Sequence, residues 1–401
     1  MGPAVVMVAG ADPLTGVGGD ASYIRAHARA ARRASFVPHI FCVSPREAVV
    51  EAEFGTVYRV PTPARLVRAV MAFVMGPAAP RIIHSFGIQG HVGVEAARRL
   101  RRRGIRVAVV TSAHDTFAPE HKAGRRPAGA AARLWRRFVV ERRERPAYTG
   151  ADLVLVNYDS VRQVLAERYG IADTVRKITY APESAFLVRG GTSRGLGAAP
   201  ALPGDAPPLV VAVARHDPRK GLDVLIEALA RVRASGIPFR ACLVGGGSLL
   251  ATHRRRVEDL GLASVVRVEG FVPDPYPYLE DAHVFVQPSL GEGRGSLALL
   301  EALQAGAAVV ASAVDGIPED VVGGDSALLV EPGNPEALGA ALARVLSDGD
   351  LRRRLAQRGH ATFEARFSAP AFTAALCAAY ASVGGAAAGS REAARRVGAT
   401  C

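Results

Sequence analysis

Four side chains in the second half of the sequence could carry chemistry together: Arg215, Lys220, Glu292 and Glu301. Glu292 lies in VFVQPSLGEGRGSLALLEALQAGAAVVAS (284–312), which reads as strand, glycine-rich turn, helix and strand. Gly291, Gly293 and Gly295 alternate just before a helix beginning near Ser296, so backbone N–H groups at that helix start can approach an anion closely. Phosphate is the natural occupant of such a turn. Glu292 in the turn and Glu301 along the helix could each hydrogen-bond a sugar hydroxyl, one on a hexose and one on a ribose. Equally, Glu292 could be a solvated turn residue and Glu301 a helix-surface charge. Arg215 and Lys220 fall in VARHDPRKGLDVLIEAL (213–229), between a strand and its helix, where doubly wound sheets bind ligands. Two cations there suit a diphosphate. Lys220 is one of 3 lysines against 47 arginines, which fits a need for a compact, mobile ammonium.

The elements that must hold these residues alternate along almost the whole chain: short β-rich apolar runs and segments of helical period, the pattern of parallel sheets wrapped by helices. Candidate strands in the first half are 5–10, 39–43, 81–86, 106–112, 152–157 and 177–182. In the second half they are 209–214, 241–245, 265–270, 284–289, 307–312 and 327–332. Leu222, Leu225, Ile226, Leu229 and Val232 recur at helical spacing after the first of these. The fold class is therefore α/β, with two Rossmann-like, doubly wound parallel-sheet domains. Residues 1–186 form the first and 209–367 the second. The Gly, Pro and Ala-rich stretch 187–208 is the linker. A helix over 368–384 is expected to pack back on the first domain, and a small, polar tail over 385–401 to be disordered.

The net charge of +13 is unevenly spread. Through residue 190 there are 29 Lys and Arg against 15 Asp and Glu, and beyond it 21 against 22, so the whole excess is in the first half. Its densest runs are 97–106 and 125–145, the latter with Leu134, Trp135 and Phe138 among its arginines. Such a run suits either an anionic membrane surface or a solvated helix whose aromatics pack inward. No nucleic-acid signature accompanies it, and nucleic acid is not an expected partner. Cys42, Cys242, Cys377 and Cys401 lie far apart without a CxxC or Cys/His cluster, which supports neither a disulfide framework nor a zinc site. The short apolar opening and the absence of any run of spanning length point to a cytoplasmic protein, at most peripheral on the inner face of the membrane.

Taken in order, ARHDPRKG, QPSL, GEGRG, LLEALQAG and DGIPED, with LVGGGS (243–248), VEGFVPD (268–274) and LLVEPGNPEAL (328–338), resemble the C-terminal domain of the retaining GT-B glycosyltransferases of family 4, the glycosyl transferases group 1. The resemblance covers the second half almost continuously. It is looser in the first half, where TGVGGDASY (15–23) looks like that family's glycine pair and SAHDTF (112–117) like its cleft histidine. It implies a GT-B architecture with the two domains facing a cleft. It also implies a nucleotide-diphosphate-sugar donor, UDP or GDP, and a glycan or lipid-linked acceptor. His114, Glu292, Arg215 and Lys220 would be catalytic. Gly18, Gly19, Arg215, Lys220, Gly293, Gly295, Ser296, Leu297 and Glu301 would bind the donor. Asp115 would orient His114 or cap the next segment, and Arg294 would be a further phosphate ligand or plain surface. His84, at another strand end, is either part of the site or a core histidine.

One departure from the family pattern is an extra residue, since 8 rather than the usual seven separate Glu292 from Glu301; the glycines could absorb it as a bulge. Retention implies a front-side displacement in which the leaving diphosphate helps to deprotonate the acceptor, so the protein supplies electrostatics rather than a nucleophile. No Asp-x-Asp metal motif is read in the sequence, where Asp115, Asp217 and Asp223 are isolated, so no cofactor and no metal are expected. Rival readings are a nucleotide-sugar isomerase or epimerase on the same fold and a non-catalytic nucleotide-sugar binder. A nicotinamide dehydrogenase lacks its GxGxxG turn with a following acidic residue.

Overall fold

A computed structural model describes residues 2–16, 19–113, 134, 138–187, 206–292 and 295–388. The chain divides into two compact units, Met1–Phe186 with Ala369–Cys401, and Leu187–Ser368.

Unit 1 is built on an eight-stranded sheet ordered β3-β4-β2-β1-β5-β6-β7-β8. The strands are β1 (Ala4–Ala9), β2 (Val37–Val43), β3 (Ala48–Ala52), β4 (Gly55–Val60), β5 (Ile82–Phe86), β6 (Ala108–Ala113), β7 (Leu153–Val156) and β8 (Val175–Lys177). All neighbours are parallel except β3 and β4, which pair antiparallel with Val50 opposite Val57. That β3–β4 hairpin was not foreseen: its outer strand alternates in burial instead of forming an apolar run. The run 177–182 is not a strand beyond Lys177; β8 lies earlier, at Val175–Lys177. Val5, Val6, Met7 and Val8 are fully buried, as expected for a central parallel strand covered on both faces. The helix Ala369–Ala388 belongs to this unit and brings Phe372 and Tyr380 into its core.

Unit 2 has six parallel strands ordered β11-β10-β9-β12-β13-β14. They are β9 (Leu209–Val213), β10 (Arg240–Val244), β11 (Val266–Gly270), β12 (Val284–Gln287), β13 (Ala308–Ser312) and β14 (Leu328–Val330). Numbered within the unit the order is 3-2-1-4-5-6, the doubly wound arrangement whose direction reverses between its first and fourth strands. Here those strands are β9 and β12, which pair through Val210 with Val284 and Val211 with Phe285. The helix Leu222–Ala234 buries Leu222, Leu225, Ile226, Leu229 and Val232 against the sheet, the face its periodicity predicts.

Cys42 and Cys242 are free, buried thiols. Cys377 is disulfide-bonded, which corrects the expectation from cysteine spacing at that residue. The stretch Gly349–Gly384 is long and apolar enough to cross a membrane, but 56% of its most apolar window is buried inside the protein, as in a core helix.

Candidate functional site

At the reversal point of the unit 2 sheet, the turns leaving β9 and β12 lie side by side. Leu290 N–H donates to Arg219 O at 2.8 Å. Gly221 has φ +60°, and a Cβ there would stand 2.1 Å from Pro288 O, so glycine is what lets the two turns close on each other. Lys220 Nζ reaches Glu292 Oε2 at 2.5 Å across this seam. The Glu292 side chain is 4% exposed and that of Lys220 16%.

Three further residues hold Glu292. Its Oε1 accepts from Gln287 Nε2 at 2.8 Å and from the Ser289 hydroxyl. Its backbone N–H donates to Asp315 Oδ2 at 2.6 Å, and Asp315 itself sits at φ +49° in the turn after β13. Oε1 is thereby saturated, whereas Oε2 accepts only from Lys220 among these contacts and keeps a lone pair for a hydroxyl. Gln287 also receives the Ser296 hydroxyl on its Oε1 at 2.8 Å. Ser296 in turn caps the helix Leu297–Ala305, accepting from Leu299 N–H at 3.2 Å. Gln287, Ser289 and Asp315 were not singled out from the sequence, although each lies inside a quoted motif. Their signal is position: all three stand at or just beyond the C-terminal ends of β12 and β13.

Arg215 is held differently. Its guanidinium pairs with Asp217 at 2.9 Å while its side chain stays 67% exposed. Asp217 also accepts from Arg219 N–H at 3.0 Å, which fixes the short turn Pro218–Lys220. The backbone beside Arg215 is pinned by the glycine turn after β10, since His216 N–H donates to Gly246 O at 2.8 Å. Gly245 has φ +140°, and a Cβ on it would lie 2.0 Å from Ala214 O. His216 is fully buried with its Nδ1 at 2.8 Å from His253 Nδ1. Burial first, then His253 and Arg254, push its pKa down to about 4, so the pair is neutral and one ring donates to the other.

The structure thus brings Lys220, Glu292, Ser296 and the Arg215 turn to one end of one sheet. Leu297 opens the helix behind Ser296, and Gly295 precedes it. Glu301 is the fifth residue of that helix, little more than one turn in and partly buried. In unit 1, Gly19 opens the helix Gly19–Arg33. Gly18, His114, Asp115, Trp135, Gly293 and Arg294 lie outside the described residues. His84 is a core residue: it is fully buried, with Nδ1 at 2.8 Å from the Tyr380 hydroxyl and Nε2 at 2.8 Å from Ser112 Oγ. One Asp-x-Asp tripeptide, Asp348-Gly349-Asp350, does occur, contrary to the sequence reading. Asp348 caps the helix Gly349–Arg366 through Leu351 N–H at 2.9 Å and Asp350 pairs with Arg353, so both serve a helix start.

Residues 200–362 match the family model of glycosyl transferases group 1. The lipopolysaccharide core biosynthesis glycosyltransferase LpsE of Rhizobium meliloti (strain 1021) is 35% identical over 171 residues, 43% of this chain. The chain spans about half the length of that relative, 48%. Sucrose-phosphate synthase from Thermosynechococcus elongatus superposes with a TM-score of 0.76 at 25% identity, covering 96% of this chain and 100% of its own. HepE of Anabaena, solved in complex with UDP, gives a TM-score of 0.68 at 19% identity over 95% of this chain and 100% of its own. The fold is that of these GT-B glycosyltransferases: two parallel-sheet α/β units.

Proposed function

We propose that the chain is a retaining glycosyltransferase of the family 4 type, moving a sugar from a nucleotide-diphosphate donor to a glycan, glycolipid or lipid-linked acceptor of a bacterial cell-surface polysaccharide. The observation that carries this reading is the Lys220–Glu292 pair at the reversal point of the unit 2 sheet, beside the exposed guanidinium of Arg215. A diphosphate arriving there competes with Glu292 for Lys220 and is met by Arg215 and the helix start at Ser296. Charge grows on the diphosphate as the glycosidic bond breaks, so these groups favour the transition state over the bound donor. Glu292 Oε2 receives a hydroxyl of the donor hexose and Glu301 one of the ribose. His114, with Gly18 and Gly19, attends the transferring sugar, as the family resemblance implies. Transfer is proposed to be metal-independent, with the protein's cations taking the part of a divalent ion, and the enzyme to work in the cytoplasm or peripherally on its membrane face. A UDP-bound fold neighbour makes UDP sugars the first donors to try.

The test is a panel of UDP-, GDP-, ADP- and dTDP-sugars, with and without EDTA. It is scored by protection against thermal unfolding and by slow release of nucleoside diphosphate. One sugar nucleotide is expected to protect and be cleaved. Release should fall about a hundredfold or more in Lys220→Ala, the loss expected on removing a preorganised transition-state charge. Arg215→Gln, whose side chain is mostly exposed, should lose release with no change in melting temperature. Protection by no donor would end the enzyme reading. Conversion of the donor without acceptor and without release of diphosphate would favour an isomerase.

A further inference from the structure

A cavity of about 490 Å3 opens on unit 1, lined by Arg68, Met71, Met75, Arg99, Arg102 and Arg103. It lies where the packed helices Pro63–Val74 and Gly90–Arg101 both end. These helices join β4 to β5 and β5 to β6. A helix between parallel strands runs back along the sheet, so both C-termini lie at the edge where the strands begin. The turns after β1 and β5, at the reversal point of this sheet, are at the opposite edge. The cavity is therefore separate from the ligand-binding edge of its own unit.

Among the described residues, its charge is compensated only at Arg99. Glu95 takes Arg99 at 2.6 Å and Arg98 at 2.7 Å, and Asp152 takes Arg101 at 2.5 Å. Among the described residues no carboxylate pairs with Arg68, Arg102 or Arg103. Arg103 instead directs Nη1 at the Met75 sulfur, 3.3 Å away, a weak acceptor. Favourable placement of cations at helix C-termini explains one or two such arginines. It does not explain several unpaired guanidiniums converging on one cavity, where they repel one another until an anion enters. The volume is in the range of small-molecule pockets. The two thioethers give it an adaptable apolar wall, with Met71 buried and Met75 45% exposed.

We propose that this cavity binds a phosphate ester, its oxygens forked by Arg68, Arg102 and Arg103 and the apolar part of the ester lying on Met71 and Met75. An anionic phospholipid headgroup and a soluble phosphate ester share this chemistry. The full-length protein at low salt is tested against vesicles of phosphatidylglycerol, against vesicles of phosphatidylcholine as a control, and against phenyl phosphate by calorimetry. Arg68→Gln/Arg102→Gln/Arg103→Gln should weaken binding by on the order of tenfold. A charge-matched variant, Arg106→Gln/Arg143→Gln/Arg176→Gln, should bind like the wild type. Met75→Glu, which places a carboxylate among the arginines, should abolish binding. Binding to phosphatidylglycerol alone names the lipid source, and comparable affinity for phenyl phosphate names the soluble one. Equal loss in both triple variants, reflecting diffuse charge, or no binding of either probe by the wild type, overturns the proposal.

Discussion

In unit 1 the turn after β1 is braced by Asp12, which accepts from Leu14 N–H at 3.0 Å and pairs with Arg59 at 2.8 Å, while Arg25 donates to Pro13 O at 3.0 Å. In unit 2 the turns after β9 and β12 are braced by Lys220 on Glu292. Both units brace the turn after their first strand with an ion pair, but the unit 1 pair runs toward β4 and only the unit 2 pair spans the reversal point of its sheet. In unit 1 the arginines come from β4 and from the helix Gly19–Arg33, and they serve the turn. In unit 2 the pair consists of the groups proposed to meet the donor, so holding the turn and binding the ligand draw on the same charges.

The sharpest way to break that contrast is Lys220→Met. It strands a carboxylate that is 4% exposed with, among the described residues, Gln287 and Ser289 as its side-chain donors. Losing one partner of a buried pair costs about 3 kcal/mol, so the unfolding transition of unit 2 should move down accordingly, and adding Glu292→Gln should restore most of it. Unchanged unfolding in the single variant would show that the pair does not brace the turn.

A pH titration of unfolding probes both units at once. His27, fully buried against His84 and Tyr23, and His216, facing His253 and Arg254, each have a pKa lowered to about 4, mainly by burial. A histidine whose folded value is depressed binds fewer protons folded than unfolded. Its stabilising effect is whole above the ordinary value near 6.5 and is lost as pH falls from there toward about 4. Both units should weaken across that window, and the slope for unit 2 should flatten in His216→Asn. A flat profile for either unit would contradict neutral burial of its histidine. The smallest effect is expected for Asp12→Asn, about 1 kcal/mol in unit 1 from a partly exposed pair, with donor protection unchanged. A matching loss of donor protection would mean that the unit 1 brace also takes part in binding.

Most of the parallel strands, though not β4, and the helix Leu222–Ala234 are legible because buried strands and an amphipathic helix announce themselves by composition and period. The β3–β4 hairpin was not, since an outer antiparallel strand such as Ala48–Ala52 carries a mixed pattern. At the site, Lys220 and Glu292 could be named from charge and glycine context, but their 2.5 Å contact joins residues 72 apart and follows from strand order. Gln287 and Ser289 read as ordinary strand-end polar residues; only the fold turns them toward Glu292. His84 reads from the sequence as a strand-end residue, yet it lies at the middle of Ile82–Phe86 and the returning helix Ala369–Ala388 covers it.

That returning helix governs the order in which the protein can be completed. Unit 1 precedes unit 2 in the sequence, but Phe372 and Tyr380 in its core are translated only after all of unit 2 has been translated. Until then His27 lacks the Phe372 ring and His84 the Tyr380 ring, whereas unit 2 already has every strand of its sheet. The domain that is synthesised first is thus the one that finishes last, and its unfinished core is the surface a nascent chain must keep from aggregating.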